Sequence, residues 1–376
     1  SHRIMCAAAK IMTTTEETTA QQKADETVQK TPAAALKSET TVVGTTTTAV
    51  VNYTVKLPYY DPRAWIGEYV LGVGPRWRVA TPVTLADGRK REANLDANGF
   101  ELGRLDAIVS KPKASWLDAS TVASALFPAA QKVLEARFPG AKALVFDHIV
   151  RGMTGPALTS KPVPYVHNDY SVNSGKIRAK MLVEPFASSK AVLDEVMNDR
   201  VAIINLWCPL SEVMRDPLAF VDWKTTHPKD LVVVKVKYTT RDGETSVSYP
   251  NDAHEWVSYP RMQPGEAVLL KTWDSPDAEE PFRSRFALHS SAQLTSSSSS
   301  SDSIPTRESI ELRAMVLFHP KASTHLFSKD KPFVAPHVAR LFDEVKKDDN
   351  AGFEKRISTT LVDGDPDAFI PAGSSL

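Results

Sequence analysis

After Val163 the chain falls into a series of short β-prone runs, each closed off by Pro, Gly, Asp or Asn: VPYVHND (163–169), VAIINLW (201–207), LVVVKVKY (231–238), HEWVSYP (254–260), AVLLKTW (267–273), RFALHSS (285–291) and SIELRAMVLF (309–318). So many short strands at close, irregular spacing predict a barrel or a double-sheet jelly roll rather than an alternating βα fold. Upstream, AVVNYTVK (49–56) alternates like a strand and marks the start of order, NLDANGFE (94–101) reads as a turn and a short strand, and ALVFDHIV (143–150) as a buried strand. Helices flank this β core. Between Ser120 and Phe138 the apolar residues Val122, Ala125, Leu126, Ala129, Val133, Leu134 and Phe138 fall on one helical face that would cover the outside of a sheet, with Pro128 splitting or kinking the helix. Short helices are also expected at Ala191–Met197 and at 336–347, where Val338, Leu341, Phe342 and Val345 share a face. The fold class is mainly β with flanking helices (α+β).

Residues 1–45 are rich in Thr, Ala, Lys and Glu and nearly free of aromatics, too polar to offset their ordering entropy, and are expected to form a disordered tail. A single jelly-roll domain with helical additions is expected over 46–350, with a low-complexity serine run at 296–301, followed by a C-terminal extension over 351–376. With 42% hydrophobic and 24% charged residues the chain has the makings of a sizeable buried core. Its 45 basic residues balance 45 acidic ones, which leaves no field to draw in nucleic acid or an anionic membrane surface. No apolar run approaches the roughly 18 residues of a membrane span. Cys6 and Cys208 are too few for a disulfide framework or a cysteine-built metal site, and a reducing, cytoplasmic location fits them. A small molecule is the expected partner; composition gives no handle on oligomeric state, a homodimer included.

The local chemistry concentrates at His167-Asn168-Asp169, at the end of a β-run. Residues i and i+2 of a strand share a face, so His167 and Asp169 would point into a barrel together while Asn168 points away. A two-histidine, one-carboxylate iron site needs one more imidazole and keeps three positions open; His289, at the end of RFALH, is the candidate, and enough strands lie between to bring it back. Taken alone, an H-x-D triplet is far more often an exposed turn than a metal site. Arg307, Ser309, Glu311 and Arg313 share one face of the last strong β-run, and an inward cation must find an anion. The distal carboxylate of 2-oxoglutarate, gripped by a guanidinium and a hydroxyl, is one solution, and an internal salt bridge such as Arg313 with Glu311 is the other. Elsewhere the signals are weaker. Gly72-Val73-Gly74 lacks the third glycine of a dinucleotide loop, His254-Glu255 lacks the second histidine of a zinc-protease helix, and no G-x-S-x-G elbow occurs.

In order along the chain, LDANGFEL, VFDHIVRG, VHNDYS, NLWCPL, DPLAFVDW, HEWVSYPRMQPGEAVLLKTWDSP and RESIELRAMVLF resemble the fungal gibberellin-desaturase-like hydroxylase/desaturase family, over about Val51 to Phe318. That resemblance implies a double-stranded β-helix (jelly-roll) core and an Fe(II)/2-oxoglutarate-dependent oxygenase. Fe(II) would be held by His167, Asp169 and His289, and 2-oxoglutarate by Arg307 or Arg313 with Ser309. With O₂, the enzyme would oxidise an unactivated C–H bond of a natural-product intermediate by hydroxylation, desaturation or ring formation. Tyr170, Asn205, Trp207 and Cys208 are candidate pocket residues, each equally readable as core packing. Two features depart from the family: Cys208 stands where an arginine is common, and the serine run replaces a shorter proline- and acid-rich stretch. Two other readings remain at this stage, a hydrolase or lyase using Zn²⁺ or Mn²⁺ on the same triad, and a non-catalytic jelly-roll binding protein.

Overall fold

The burial of VAIINLWCP is complete on both faces, and that demands a layer of structure on each side of it. The computed structural model describes residues 46–55, 78–153, 161–237, 242–277, 279–295 and 304–319, together with the backbone of 361–363. Contacts divide the chain into Ser1–Val43 and Gly44–Leu376, and every element below belongs to the second unit. The tail, the serine run and the helix expected at 336–347 lie outside the described residues.

In chain order the strands are β1 (Thr46–Thr54), β2 (Arg78–Asp87), β3 (Phe100–Arg104), β4 (Lys142–Arg151) and β5 (His167–Asn168). Next come β6 (Val201–Pro209), β7 (Leu218–Val221), β8 (Leu231–Lys237), β9 (Asp242–Ser248) and β10 (Trp256–Ser258). β11 (Glu266–Asp274), β12 (His289–Ser291), β13 (Gln293–Leu294), β14 (Ser309–Leu317) and β15 (Leu361–Asp363) complete the set. Five of them form an antiparallel sheet in the order β3-β11-β6-β14-β4, and the other ten a sheet in the order β13-β1-β2-β10-β7-β12-β5-β9-β8-β15. The larger sheet is antiparallel except where β10 runs parallel to β2. No strand is shared between the sheets, so the expected β core is present as two sheets, and no closed barrel forms among the described residues.

Side-chain alternation sorts the apolar residues into layers. On one face of the five-stranded sheet, Ala202, Ile204, Leu206 and Cys208 of β6 and Ile310, Leu312, Ala314 and Val316 of β14 meet Leu126, Phe127, Ala130 and Leu134 from the helical segment. That segment runs from Ala119 through a π-turn at Val122–Leu126 into α1 (Phe127–Arg137). Pro128 lies in the first turn of α1, directly after the π-turn, and does not interrupt the helical path: the widened turn accommodates a residue that has no N–H to give. The opposite face has two coverings. Ile203, Met315 and Leu317 pack under α2 (Val172–Val183) and α3 (Lys190–Asn198), while Trp207, Val268 and Leu270 pack against Phe220 and Val257 of the larger sheet. Between these two apolar clusters runs a polar seam of Asn205, Glu311 and Arg313.

Several expectations need adjustment. VPYVHND pairs as a strand only at His167–Asn168, and α2 follows it almost at once. Its Ser171 cap and the reciprocal bond to Ser174 are a start signal, but Gly175 masked the helix by propensity. Gly175 is there for contact: a Cβ would stand 2.1 Å from the Trp273 ring.

The irregular stretch 283–288 is fastened by charge. Lys271, fully buried, lies 2.8 Å from Asp274 and 2.9 Å from Asp96, and its ammonium also donates to the Ser284 carbonyl at 3.0 Å. Arg200 bridges the same two carboxylates, Arg285 donates to the Asp274 carbonyl at 2.7 Å, and Ser284 Oγ to the Leu95 carbonyl at 2.6 Å. Gly99, at φ 87°, closes the one-turn helix Leu95–Asn98 where a Cβ would strike the Phe286 carbonyl at 2.7 Å. Burial works to raise the Asp96 carboxyl, but Lys271 and Arg200 outweigh it and hold it down at about 2. A folded-state value below the unfolded one contributes stability above about pH 4 that is lost as pH falls toward 2. Urea unfolding followed across acid pH should therefore lose part of its slope between about pH 4 and 2 in Asp96→Asn; an unchanged slope would remove Asp96 from the acid transition.

Candidate metal centre

β5 and β12 run antiparallel with His167 directly opposite His289, which brings the two imidazole centroids to 4.3 Å. Each ring is oriented from behind. His167 Nδ1 lies 2.8 Å from the Tyr165 carbonyl and His289 Nδ1 lies 3.0 Å from the Ala287 carbonyl. A carbonyl can only accept, so both rings carry a proton on Nδ1 and turn Nε2 toward Asp169. Asp169 comes from the turn between β5 and α2. Its Oδ1 lies 3.8 Å from His167 Nε2 and 4.0 Å from His289 Nε2. The three side chains offer ligand atoms all within 4.8 Å of one another.

Asp169 is fixed by what flanks it. Trp273 donates its indole N–H to the Val172 carbonyl at 2.9 Å, Gly175 lies against the same ring, and Ser171 Oγ donates to Glu244 at 2.5 Å, so the chain turns into α2 at a defined point. Asn205 Nδ2 donates to Asp169 Oδ2 at 2.9 Å, and Arg313 Nε stands 3.9 Å from the same oxygen. Burial alone would raise the Asp169 carboxyl, but Arg313, His289 and His167, with the Asn205 bond, hold it well below the usual carboxylate range. Burial, and then the neighbouring His289, push His167 down to about 3. The site thus holds an ionised carboxylate beside a neutral imidazole, the protonation states that metal coordination requires.

Asn168, between the two ligands, donates to the carbonyls of Tyr170 (2.6 Å) and Thr272 (3.0 Å). Arg313 is engaged by Glu311 Oε1 and Asp147 Oδ2, each at 3.1 Å, which realises the internal salt bridge weighed from sequence. Arg307 is buried, lies over the Trp207 ring at 5.2 Å, and donates Nη1 to the Asp216 carbonyl at 2.5 Å. Asp216 adopts φ 50°, a left-handed turn that Asp tolerates better than most residues. Ser309 Oγ is buried without a hydrogen-bond partner among the described residues. Tyr170 packs with Leu144, Phe146, Met315 and Trp273. Cys208 faces the opposite way, into the α1 layer with Ile310, and burial pushes its thiol far up, so it packs core and lines no shared wall with Asn205 and Trp207. Sequence reasoning missed Tyr165, whose ring lies 5.0 Å from that of His167 and carries Arg78 above it at 3.7 Å. The i−2 position relative to His167 was its signal. Asp147 left no such signal.

Two β-sheets, the larger of which carries two imidazoles on neighbouring strands with a carboxylate from the turn that follows one of them, define a two-histidine, one-carboxylate metalloprotein of mixed α+β fold. The chain belongs to the oxidoreductase/YMDC permease-like domain family, whose profile matches residues 66–317. It is 27% identical over 265 residues to the hydroxylase/desaturase efuI of Hormonema carpetanum, covering 63% of this chain and 83% of that protein. To the oxidoreductase AN1597 of Emericella nidulans it is 25% identical over 253 residues, covering 60% and 82%. Among solved structures, the iron and alpha-ketoglutarate-dependent endoperoxidase NvfI superposes with a TM-score of 0.58 at 19% identity, over 73% of this chain and 98% of that one, a likeness of fold. No helix among the described residues is long and apolar enough to cross a membrane.

His289→Ala removes one of three ligands and should abolish tight Co(II) uptake in a calorimetric titration. Cys208→Ser, which places a hydroxyl in the α1 layer, should lower the unfolding free energy by about 1–3 kcal/mol and leave that titration unchanged. Native-like uptake by His289→Ala would refute the ligand assignment.

Proposed function

We propose that the chain is an Fe(II)/2-oxoglutarate-dependent oxygenase with a double-stranded β-helix core. It oxidises an unactivated C–H bond of a small-molecule natural-product intermediate, by hydroxylation, desaturation or oxidative ring formation. The observation that carries this reading is a facial ligand set together with a buried arginine, held over the Trp207 ring just before β14, that has no acid partner within salt-bridge distance among the described residues. Two imidazoles and one carboxylate suit iron(II) and leave positions for further ligands. Arg307 Nε has no hydrogen-bond partner among the described residues. Burial first, and then Arg151, push its guanidinium down to about 10, with Asp216 and Glu311 only partly opposing. A buried cation in that condition gains most from a carboxylate ligand, and the unpartnered Ser309 hydroxyl stands two residues along the same face to donate to it. Arg313, by contrast, is already committed to Glu311, Asp147 and Asp169. Relatives named hydroxylase/desaturase, and the alpha-ketoglutarate-dependent dioxygenase phiK at 25% identity, support the same chemistry.

Bound together, iron(II), 2-oxoglutarate and O₂ supply an oxidant able to take hydrogen from an unactivated C–H bond, the 2-oxoglutarate leaving as succinate and CO₂. The protein's share is positional. His167 and His289 would hold the metal through Nε2, their Nδ1 atoms being tied to backbone carbonyls, Asp169 would supply the anion, Arg307 and Ser309 would hold the distal carboxylate, and Trp207 lies under the guanidinium.

Anaerobic titration with Fe(II) and 2-oxoglutarate should produce the visible charge-transfer band of the chelate. In Arg307→Leu, half-saturation should need about 10- to 100-fold more 2-oxoglutarate, the equivalent of about 1.4–2.8 kcal/mol, with Fe(II) affinity unchanged. Iron bound by the native chain without that band would overturn the oxygenase reading in favour of a hydrolytic or lyase metal site.

A further inference from the structure

We propose that Asn205 is a positioning residue that confines Asp169 to coordination through a single oxygen, an inference that rests on the metal-centre reading above. The two carboxylate oxygens have different surroundings. Oδ1 turns to the imidazoles at 3.8 and 4.0 Å, whereas Oδ2 receives the Asn205 amide at 2.9 Å and faces Arg313 Nε at 3.9 Å. The amide can adopt only one orientation, since the flipped one would set two oxygens against each other. Coordination through both oxygens would require Oδ2 to leave Asn205. One-oxygen binding, in contrast, leaves three of six positions around an octahedral metal for other ligands.

The cost of this side chain to the fold shows where it acts. Asn205 is fully buried on β6 between Ile203 and Trp207, and its Oδ1 has no hydrogen-bond partner among the described residues. A leucine, with the same branching and the same number of side-chain heavy atoms, would spare the fold that unmet acceptor. Asn205 therefore carries the cost of an unmet Oδ1 while its Nδ2 serves the carboxylate beside it. Its strand register fixes the effect, because Asn205 lies opposite Arg313 on β14, and Arg313 is itself held by Glu311 and Asp147.

The test uses the full chain, native and as Asn205→Leu and Asn205→Ala, with Co(II) alone as the probe. Three readouts apply: urea unfolding of the metal-free protein, Co(II) affinity by competition with a chromophoric chelator, and the visible bands of bound Co(II), which report coordination number. The expected result is a metal-free midpoint in Asn205→Leu at or above native, Co(II) affinity lower by about 10- to 100-fold in both variants, and altered Co(II) bands. Unchanged affinity and bands would overturn the proposal. So would midpoint and affinity falling together in both variants, or failure of both to fold, since each marks a packing role. If Asn205 variants lose Co(II) affinity while the native chain gives no 2-oxoglutarate band, the positioning role stands and the oxygenase reading falls. A native chain that takes up no Co(II) overturns both.

Discussion

A fully buried ammonium, Lys271, holds together parts of the chain that lie far apart in sequence. Removing a charge from water costs several kcal/mol unless it is paired and hydrogen-bonded, and Lys271 meets this cost with Asp274, Asp96 and the Ser284 carbonyl. Those partners belong to β11, to the one-turn helix before β3 and to the stretch leading into β12. Because the ion cluster is satisfied only when all three meet, it converts an unpatterned segment into a fixed approach to His289. Backbone bonds complete it: the Lys271 N–H donates to the Gly99 carbonyl and its own carbonyl accepts from Ala287. Ala287 is also the residue whose carbonyl orients the His289 ring.

The inner face of the five-stranded sheet is divided into two apolar clusters with a polar seam between them, and the seam and the residues leading into it carry costly burial. Asn205 and Ser309 each leave a buried oxygen unmatched, as Arg307 leaves a nitrogen. Their number at one place matters. Apolar side chains would spare the architecture that cost at each position, so stability has been given up along this edge of the inner face. Rigid apolar clusters on both sides keep these groups from relaxing toward one another.

Much of this was legible in the sequence, for reasons specific to each element. Runs such as VAIINLW and SIELRAMVLF are long, apolar and bounded by turn residues, and they became β6 and β14 nearly as delimited. His167 and Asp169 were readable as a pair by strand alternation, although the strand itself ends at Asn168 and Asp169 arrives by the turn into α2. Other elements were hidden by their chemistry. β2, as RVATPVTLAD, carries a proline and mixed polarity, and is a strand because β1 pairs along its whole length. β9, as DGETSVS, has no hydrophobic pattern and is held by β8 and β5. Trp207 and Cys208 could not be told apart by composition. They are neighbours on one strand, so one faces the larger sheet and the other α1, and only register decides which.

The opposition of His167 and His289 across β5 and β12 makes the ligand spacing a property of strand pairing. A slip of one residue would turn one imidazole to the other side of the sheet, so only the native register can chelate. A metal bound there acts as a clasp between two strands brought together from distant parts of the chain. Binding to the folded form alone adds stability that grows with the logarithm of free metal concentration. Metal supply and the fraction of chain correctly paired at the centre of the larger sheet are therefore thermodynamically linked.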